Sequence, residues 1–215
     1  DIKEKGLEKV YYECELPLVE VLASNAPAPG GGSVSALAGA QAAALMGMVC
    51  DLTTSKAKYE EYHDTCKVAK VKADLLYRGF AEGVDKDTEA YNLVANAFKM
   101  PKETDEEKAA RRKAIDDGTL EATKVPFSVM KMAAEGLELA EQLMGNTNPN
   151  TASDLGVAVL NLMTCMKGAW LNVKINLPGV KDEALAAEYR EKGEEMVKKG
   201  EVIAKKLYEE IEGGL

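Results

Sequence analysis

The sequence contains 215 residues, which is enough for one domain with a sizeable core, and it carries a net charge of −9 at pH 7. This acidic balance argues against a nucleic-acid partner, because the phosphate backbone attracts basic surfaces. Hydrophobic residues make up 46% of the chain and aromatic residues only 6%, and no segment alternates polar and apolar residues for long. We therefore predict an all-α fold in which residues 1–215 form a single bundle of about six helices.

The cysteines and the amino-terminal stretch indicate the compartment. Cys14, Cys50, Cys66 and Cys165 are widely separated and show neither a CxxC pair nor zinc-type spacing. Such cysteines are typical of reduced thiols in a cytoplasmic protein. The charged stretch DIKEKGLEKVYYE at the amino terminus has no signal-peptide pattern. We expect a cytoplasmic location.

The run from Val34 to Cys50 carries no charge and is rich in alanine and glycine. A membrane span needs about 20 strongly apolar residues, and this run is shorter and only weakly hydrophobic. We therefore expect no membrane contact. The run predicts a helix that is buried in the core or at an oligomer interface, where small side chains let neighbouring helices approach closely.

Start and stop signals divide the rest of the chain into helices. Ser33 is predicted to be the N-cap of the central helix. Thr104 and Glu107 form a capping box, and Pro126 predicts a kink or a new start in the helix that follows it. Two polar loops stand out, PAPGGGS at residues 27–33 and GNTNPNTASD at residues 145–154. The expected helices span about residues 16–24, 33–53, 58–98, 104 onward, 154–173 and 182–211.

The PAPGGGS turn brings backbone N–H groups to the start of a helix, a geometry that can bind an anion or a carbonyl oxygen. Glycine turns also occur for purely geometric reasons. The run is not a phosphate-binding P-loop, because no Lys-Ser or Lys-Thr pair follows it.

Asp87 lies in an unusual place for a charged residue, on the apolar stripe of its predicted helix. At helical spacing this stripe contains Phe80, Val84, Asp87, Tyr91, Val94 and Phe98. Burial of a carboxylate raises its pKa toward values useful in acid–base catalysis. An ion pair with a lysine, or a cap on a neighbouring helix end, would explain the position without a catalytic role.

Histidine and metal chemistry are nearly absent from the sequence. The single histidine, His63, lies in the charged stretch YEEYHDT and is expected at the surface. We predict no metal site, because there is no ExxH or HExxH pattern, and no GxSxG elbow is present. If the protein is an enzyme, a carboxylate is expected to transfer the proton.

Asp154, Asn172 and Asn176 are further polar candidates. Asp154 begins a predicted helix, where an acid can bind a ligand or simply complement the helix dipole. Asn172 and Asn176 bring amide donors and acceptors to the end of that helix, which suits a heterocycle but also suits backbone groups in the core.

Four motifs occur in a recognisable order: PAPGGGSVSALAGA at 27–40, VDKD at 84–87 with KMPK at 99–102, SDL at 153–155, and NVKINL at 172–177. By these motifs, which cover nearly the whole chain, the sequence resembles the cyclodeaminase/cyclohydrolase family of folate enzymes. This family comprises the carboxy-terminal domain of formiminotransferase-cyclodeaminase and its free-standing bacterial relatives. The resemblance implies an all-α homodimer with a tetrahydrofolate derivative as substrate and no tightly bound cofactor.

The resemblance also implies roles for individual residues. Asp87, the second aspartate of VDKD, matches the catalytic residue of the family. We expect the substrate to be held by Pro29, Gly30, Gly31, Gly32, Ser33, Asp154, Asn172 and Asn176.

Two reactions are known in this family, and the motifs do not separate them. We favour cyclisation of 5-formimino-tetrahydrofolate to 5,10-methenyl-tetrahydrofolate with release of ammonia, a step of histidine degradation. The alternative is hydrolysis of 5,10-methenyl-tetrahydrofolate to the 10-formyl compound. A non-catalytic folate-binding helical dimer is a remote third interpretation.

Overall fold

The computed structural model describes residues 16–215, so the predictions for Cys14 and the amino-terminal stretch lie outside the described residues. Three short 3₁₀ turns join longer helices, and none of residues 16–215 forms a strand. The all-α prediction with six helices is therefore confirmed. The helices are α1 (Leu16–Leu22), α2 (Gly31–Thr54), α3 (His63–Phe98), α4 (Asp105–Leu143), α5 (Ala152–Asn176) and α6 (Glu183–Gly214).

Most helix ends agree with the predicted signals to within a few residues. The capping box is confirmed: the Glu107 N–H donates to Thr104 Oγ1 at 3.2 Å, and the Thr104 N–H donates to Glu107 Oε2 at 3.1 Å. The third helix begins later than predicted. Residues Ala57–Tyr62 form a 3₁₀ turn in which Tyr59 has a non-helical backbone, so α3 begins only at His63.

α2 is the central helix and packs against both α3 and α5. Small residues allow this: a Cβ added at Gly39 would lie 2.5 Å from the Phe80 ring. The helix is 24 residues long and, by length and composition alone, is long and apolar enough to cross a membrane, so the prediction that this run is too short and too weakly hydrophobic is wrong. However, 67% of its most apolar stretch is buried, as expected for a core helix. Cys50 and Cys165 are buried free thiols in the same core.

α4 runs without interruption through Pro126, so the predicted new start at this residue does not occur. Proline has no N–H, and a proline inside a helix therefore leaves the carbonyl four residues earlier without its usual donor. Here that carbonyl belongs to Ala122, and it accepts a hydrogen bond of 2.8 Å from Asn176 Nδ2. A side chain from the end of α5 thus supplies the bond that Pro126 cannot make.

Candidate functional site

A cleft of about 340 Å³ lies where the amino-terminal end of α2, the second half of α3 and the carboxyl-terminal end of α5 meet. We call it the glycine cleft, because the glycine run forms part of its wall. Six of the predicted site residues line it: Gly30, Gly31, Gly32, Asp87, Asn172 and Asn176. The structure therefore brings together residues that are up to 146 positions apart in the sequence, the distance from Gly30 to Asn176.

Asp87 is the only carboxylate among the residues that line the glycine cleft. Its Oδ2 accepts a hydrogen bond of 3.0 Å from the Ser33 hydroxyl, and the Ser33 backbone N–H also bonds to the carboxyl. Burial raises the pKa of Asp87, and the two bonds from Ser33 only partly oppose this shift. Asp87 forms no ion pair with any of residues 16–215. The predicted desolvation of this carboxyl is therefore confirmed, and an ion pair does not explain its position.

The stripe around Asp87 is less buried than its pattern predicts. Phe80 is fully buried, whereas Tyr91 is 40% exposed and Phe98 is 57% exposed. The stripe faces the core in its first half and the cleft and solvent in its second half. Asp87 lies at this transition and is half-buried.

Gly32 explains why the chain has glycine at the start of α2. A Cβ on Gly32 would lie 2.5 Å from Asp87 Cγ, a distance that real side chains do not adopt. A Cβ on Gly31 would make an ordinary contact of 3.5 Å with Asn172 Nδ2, and a Cβ on Gly30 would meet no atom within 4 Å. Of the three glycines, only Gly32 is required for the carboxyl of Asp87 to approach the helix.

The prediction that Ser33 is the N-cap of α2 is wrong. Gly30 occupies that position without a side-chain bond, and Ser33 is the third residue of the helix. The Ser33 hydroxyl turns instead toward α3, where it contacts Asp87 and the Val84 carbonyl oxygen. Ser33 is completely buried and does not line the cleft. It lies behind Asp87, so it has no route to a substrate.

The two asparagines are fixed to backbone carbonyls and also line the cleft. Asn172 Nδ2 donates to the Gly168 oxygen at 2.9 Å. Asn176 Nδ2 donates to the Ala122 oxygen at 2.8 Å and to the Asn172 oxygen at 3.0 Å. Both Nδ2 groups thus donate to backbone carbonyls, so the interpretation that these amides serve backbone groups is confirmed. Their binding of a ligand stays a prediction.

Pro29 and Asp154 are not brought to the cleft. Pro29 follows a cis peptide bond and lies on the other side of the loop, next to Leu18 and Asp85. Asp154 is in the first turn of α5, 18 residues before Asn172, which corresponds to about 27 Å along the helix. Within one chain, Asp154 therefore does not line the glycine cleft.

Sequence reasoning missed the apolar walls of the cleft. Tyr91 lies one helical turn after Asp87, and Ile175, which is 77% exposed, lies next to Asn176. The sequence pattern places Tyr91 on the apolar stripe of α3 and does not indicate that it lines a cleft. Its spacing of four residues from Asp87 places both side chains on one helix face, and this was the available signal.

No histidine is among the residues that line the glycine cleft. His63 is about 36 Å from Asp87 along α3, and its Nε2 contacts the Lys56 carbonyl oxygen at 3.2 Å. Within residues 16–215 there is no group of three or more His, Cys, Asp or Glu side chains that could hold a metal ion.

Comparison with known proteins agrees with this architecture. Residues 17–195 match the family described as Formiminotransferase-cyclodeaminase. Methenyltetrahydrofolate cyclohydrolase of Methylorubrum extorquens is 39% identical over 88% of this chain and 91% of its own length. Formimidoyltransferase-cyclodeaminase of Sus scrofa is 30% identical over 90% of this chain, which spans only 36% of that relative. The crystal structure of formiminotetrahydrofolate cyclodeaminase from Thermotoga maritima has a TM-score of 0.76 and 25% identity, over 95% of this chain and 96% of that one.

Proposed function

This chain belongs to the formiminotransferase-cyclodeaminase family of folate one-carbon enzymes, and from that premise we propose that it hydrolyses 5,10-methenyl-tetrahydrofolate in the glycine cleft. The observation that carries the proposal is the half-buried carboxyl of Asp87, held by Ser33 at the edge of the cleft. The cyclohydrolase of Methylorubrum extorquens, which is similar over nearly its full length, favours hydrolysis.

In this reaction water attacks the carbon that joins N5 and N10 of the substrate. Asp87, ionised, takes a proton from the water as the C–O bond forms. The hydroxyl of the adduct then loses its remaining proton as the C–N5 bond breaks, N5 takes up a proton, and the carbon stays on N10 as a formyl group. The product is 10-formyl-tetrahydrofolate, and one proton is released overall.

The walls of the cleft suit a folate. The first N–H groups of α2, at Gly31 and Gly32, have no partner within the helix and can donate to the oxygen that develops on the reacting carbon. Asn172 and Asn176 offer Oδ1 acceptors to the N–H groups of the pterin. Tyr91 supplies an aromatic face, partly exposed, against which a planar ring can pack.

The second candidate is the cyclodeaminase reaction, which the solved structure from Thermotoga maritima favours. N10 of 5-formimino-tetrahydrofolate attacks the formimino carbon, the ring closes, and the C–N bond to the leaving nitrogen breaks. The =NH nitrogen takes up two protons, the one that N10 loses on ring closure and one from protonated Asp87, and leaves as ammonia. Because the ring closure is intramolecular, the remaining task of the cleft is to orient the substrate. The relatives are enzymes, so a protein that only binds folate is not favoured.

The near-ultraviolet absorbance of methenyl-tetrahydrofolate tests the proposal. We expect the wild-type protein to consume this compound, and Asp87→Asn to lower kcat/KM by about 10²–10⁴-fold, since the acid–base group is lost. Asp85→Asn is the matched control, because Asp85 belongs to the same VDKD element but is exposed on another face of α3. Gain of absorbance from 5-formimino-tetrahydrofolate with ammonia release would instead identify the cyclodeaminase. If neither compound is converted, the proposal is wrong.

The pH dependence separates the two roles of Asp87. A general base must be ionised, so the rate of hydrolysis should rise with pH through the pKa of Asp87 and then level off. A general acid must be protonated, so the rate of cyclodeamination should fall over the same range. Burial raises the pKa of Asp87. The pH at which either rate changes therefore shifts from the acidic range toward neutral pH. The profiles are measured as kcat/KM after subtraction of the reaction without enzyme.

The homodimer that the family resemblance implies remains a proposal, and we assign it to the outer face of α2 and α5. Exposed apolar side chains lie along both helices: Val34, Met48, Leu52, Val157, Leu160 and Leu171. α2 has no charged residue between Gly31 and Cys50, so two copies can meet along it without like-charge repulsion. Light scattering during size-exclusion chromatography should give twice the chain mass, and a monomer mass would contradict the assignment.

A further inference from the structure

Ser33 has more oxygen neighbours than its single proton can serve. Its Oγ lies 3.0 Å from the Val84 carbonyl oxygen, 3.0 Å from Asp87 Oδ2 and 3.4 Å from Thr88 Oγ1. The residue is completely buried, so no solvent competes for these contacts. A hydroxyl donates one proton and accepts at two lone pairs. Ser33 therefore cannot donate to Val84 and to Asp87 at the same time.

Two proton arrangements satisfy these atoms, one for each protonation state of Asp87. When Asp87 is ionised it only accepts, and the Ser33 hydroxyl donates to Oδ2. When Oδ2 carries a proton, it donates to Ser33 Oγ, and the Ser33 proton turns to the Val84 oxygen. The change requires rotation of one hydroxyl and no movement of the heavier atoms.

We propose that Ser33 is a positioning residue that holds the Asp87 carboxyl in one place in both protonation states, by turning its hydroxyl between Asp87 Oδ2 and the Val84 oxygen. The inference deepens the proposed function and rests on it, because an acid–base group must gain and lose a proton in each turnover without leaving the substrate. Ser33 engages Oδ2, the oxygen that gains and loses the proton in these two arrangements, whereas Oδ1 is the carboxyl oxygen nearer to the position of a Gly32 Cβ.

Few other ionisable groups can influence Asp87. Tyr91 is the only other ionisable side chain among the residues that line the cleft, and the lining residues from α2, α4 and α5 are all uncharged. Asp85 and Glu89 are exposed and face the other side of the loop, near the end of α1. A change in the titration of Asp87 when Ser33 is replaced therefore reports on the hydrogen bond between them.

The test compares Ser33→Ala with Ser35→Ala. Ser35 is also buried on α2, but its hydroxyl donates to the Gly31 carbonyl oxygen at 2.6 Å and not to Asp87. The pKa of Asp87 is measured from the carbon-13 resonance of its carboxyl, assigned with Asp87→Asn. In Ser33→Ala we expect this pKa to rise by about one pH unit, because a bond to the ionised form is lost. We expect kcat to fall about tenfold or more with KM within about twofold, and Ser35→Ala to leave the titration unchanged.

Ser33→Cys covers the case in which the alanine variant does not fold. The thiol is somewhat larger than the hydroxyl, still fills the site and is a weaker donor, so the titration should shift in the same direction by a smaller amount. A folded variant at position 33 whose Asp87 titrates as in the wild type overturns the inference, whatever its activity. A wild-type protein that converts neither folate overturns the proposed function instead, and the carbon-13 titration still decides the role of Ser33 toward Asp87.

Discussion

The two ends of the α2–α5 pair bury the same kinds of side chain and use them differently. At the cleft end, Ser33 and Asn172 accompany an ionisable carboxyl, that of Asp87. At the other end, Thr53 Oγ1 donates to the Val49 oxygen at 2.7 Å and accepts from the Asn148 N–H at 2.9 Å. The Thr151 hydroxyl in turn donates to the Asn148 oxygen at 2.7 Å.

The difference shows what distinguishes a binding loop from a structural loop. Both loops stand out in the sequence as polar and rich in turn residues. At the Thr53 end every one of these contacts is neutral and goes to the backbone, which fixes the loop before α5. At the Asp87 end a carboxyl with a raised pKa faces backbone N–H groups that the helix does not use. The polar loop to which we assign function is the one that meets an ionisable group.

Gly32→Ala should have the largest effect on activity, because it changes the cleft end of the α2–α5 pair and leaves the Thr53 end intact. The new methyl group would overlap the Asp87 carboxyl, so the carboxyl must move. We expect kcat/KM to fall about 100-fold or more and the free energy of unfolding to fall by about 1–3 kcal/mol. Activity is measured by steady-state kinetics and stability by urea unfolding. Gly30→Ala is the control for stability, because its Cβ has no neighbour within 4 Å and its backbone is extended. An equal loss of unfolding free energy in both variants would mean that the clash with Asp87 is not the cause.

Thr53→Val should damage stability and spare activity. It leaves the buried Asn148 N–H without its acceptor, which should lower the free energy of unfolding by about 1–3 kcal/mol. The cleft is about 30 Å away along α2, so kcat/KM should stay at the wild-type value. Thr54→Val is the control, since the Thr54 hydroxyl makes only an exposed bond of 3.3 Å to the Asp51 oxygen. A loss of activity in Thr53→Val without a loss of stability would show that the two ends are coupled.

The smallest effect should be a pH-dependent gain of stability in Asp87→Asn. Because the folded state raises the pKa of Asp87, folding favours the protonated form, and stability falls as pH rises between the unfolded and the folded pKa. The variant lacks this penalty. Its Tm should therefore exceed that of the wild type above this window, and the difference should vanish below about pH 4, the ordinary range of aspartate. A difference that is the same at every pH would show that ionisation is not its origin.

Local sequence patterns were sufficient for features that depend on neighbours along the chain. The spacing of three to four residues placed Asp87 on a helix face with Phe80, and the Thr104 capping box set the start of α4. Both are short-range signals, because helix geometry connects residues within one or two turns. The desolvation of Asp87 followed from the same pattern.

Features that depend on distant residues were not predictable in this way. Ser33 looked like an N-cap because caps are recognised locally, but the partners of its hydroxyl are 51 and 54 residues away. Asp154 belongs to a motif of the family, yet the length of α5 separates it from the cleft. The cleft walls were missed for the same reason, since Tyr91 and Ile175 come to line one cleft only through the packing of α3 and of α5 against α2.

The bond between Asn176 and the Ala122 carbonyl links Pro126, which is unfavourable within a helix, to the position of a side chain that lines the cleft. Engineering for stability commonly replaces a proline within a helix by alanine, which restores a backbone bond. At position 126 the restored N–H would compete with Asn176 Nδ2 for one oxygen. The Asn176 side chain would then share this oxygen, which lies 54 residues away in the sequence, with a backbone N–H. In this protein a proline that is unfavourable for α4 leaves a carbonyl oxygen that holds a side chain of α5 in place.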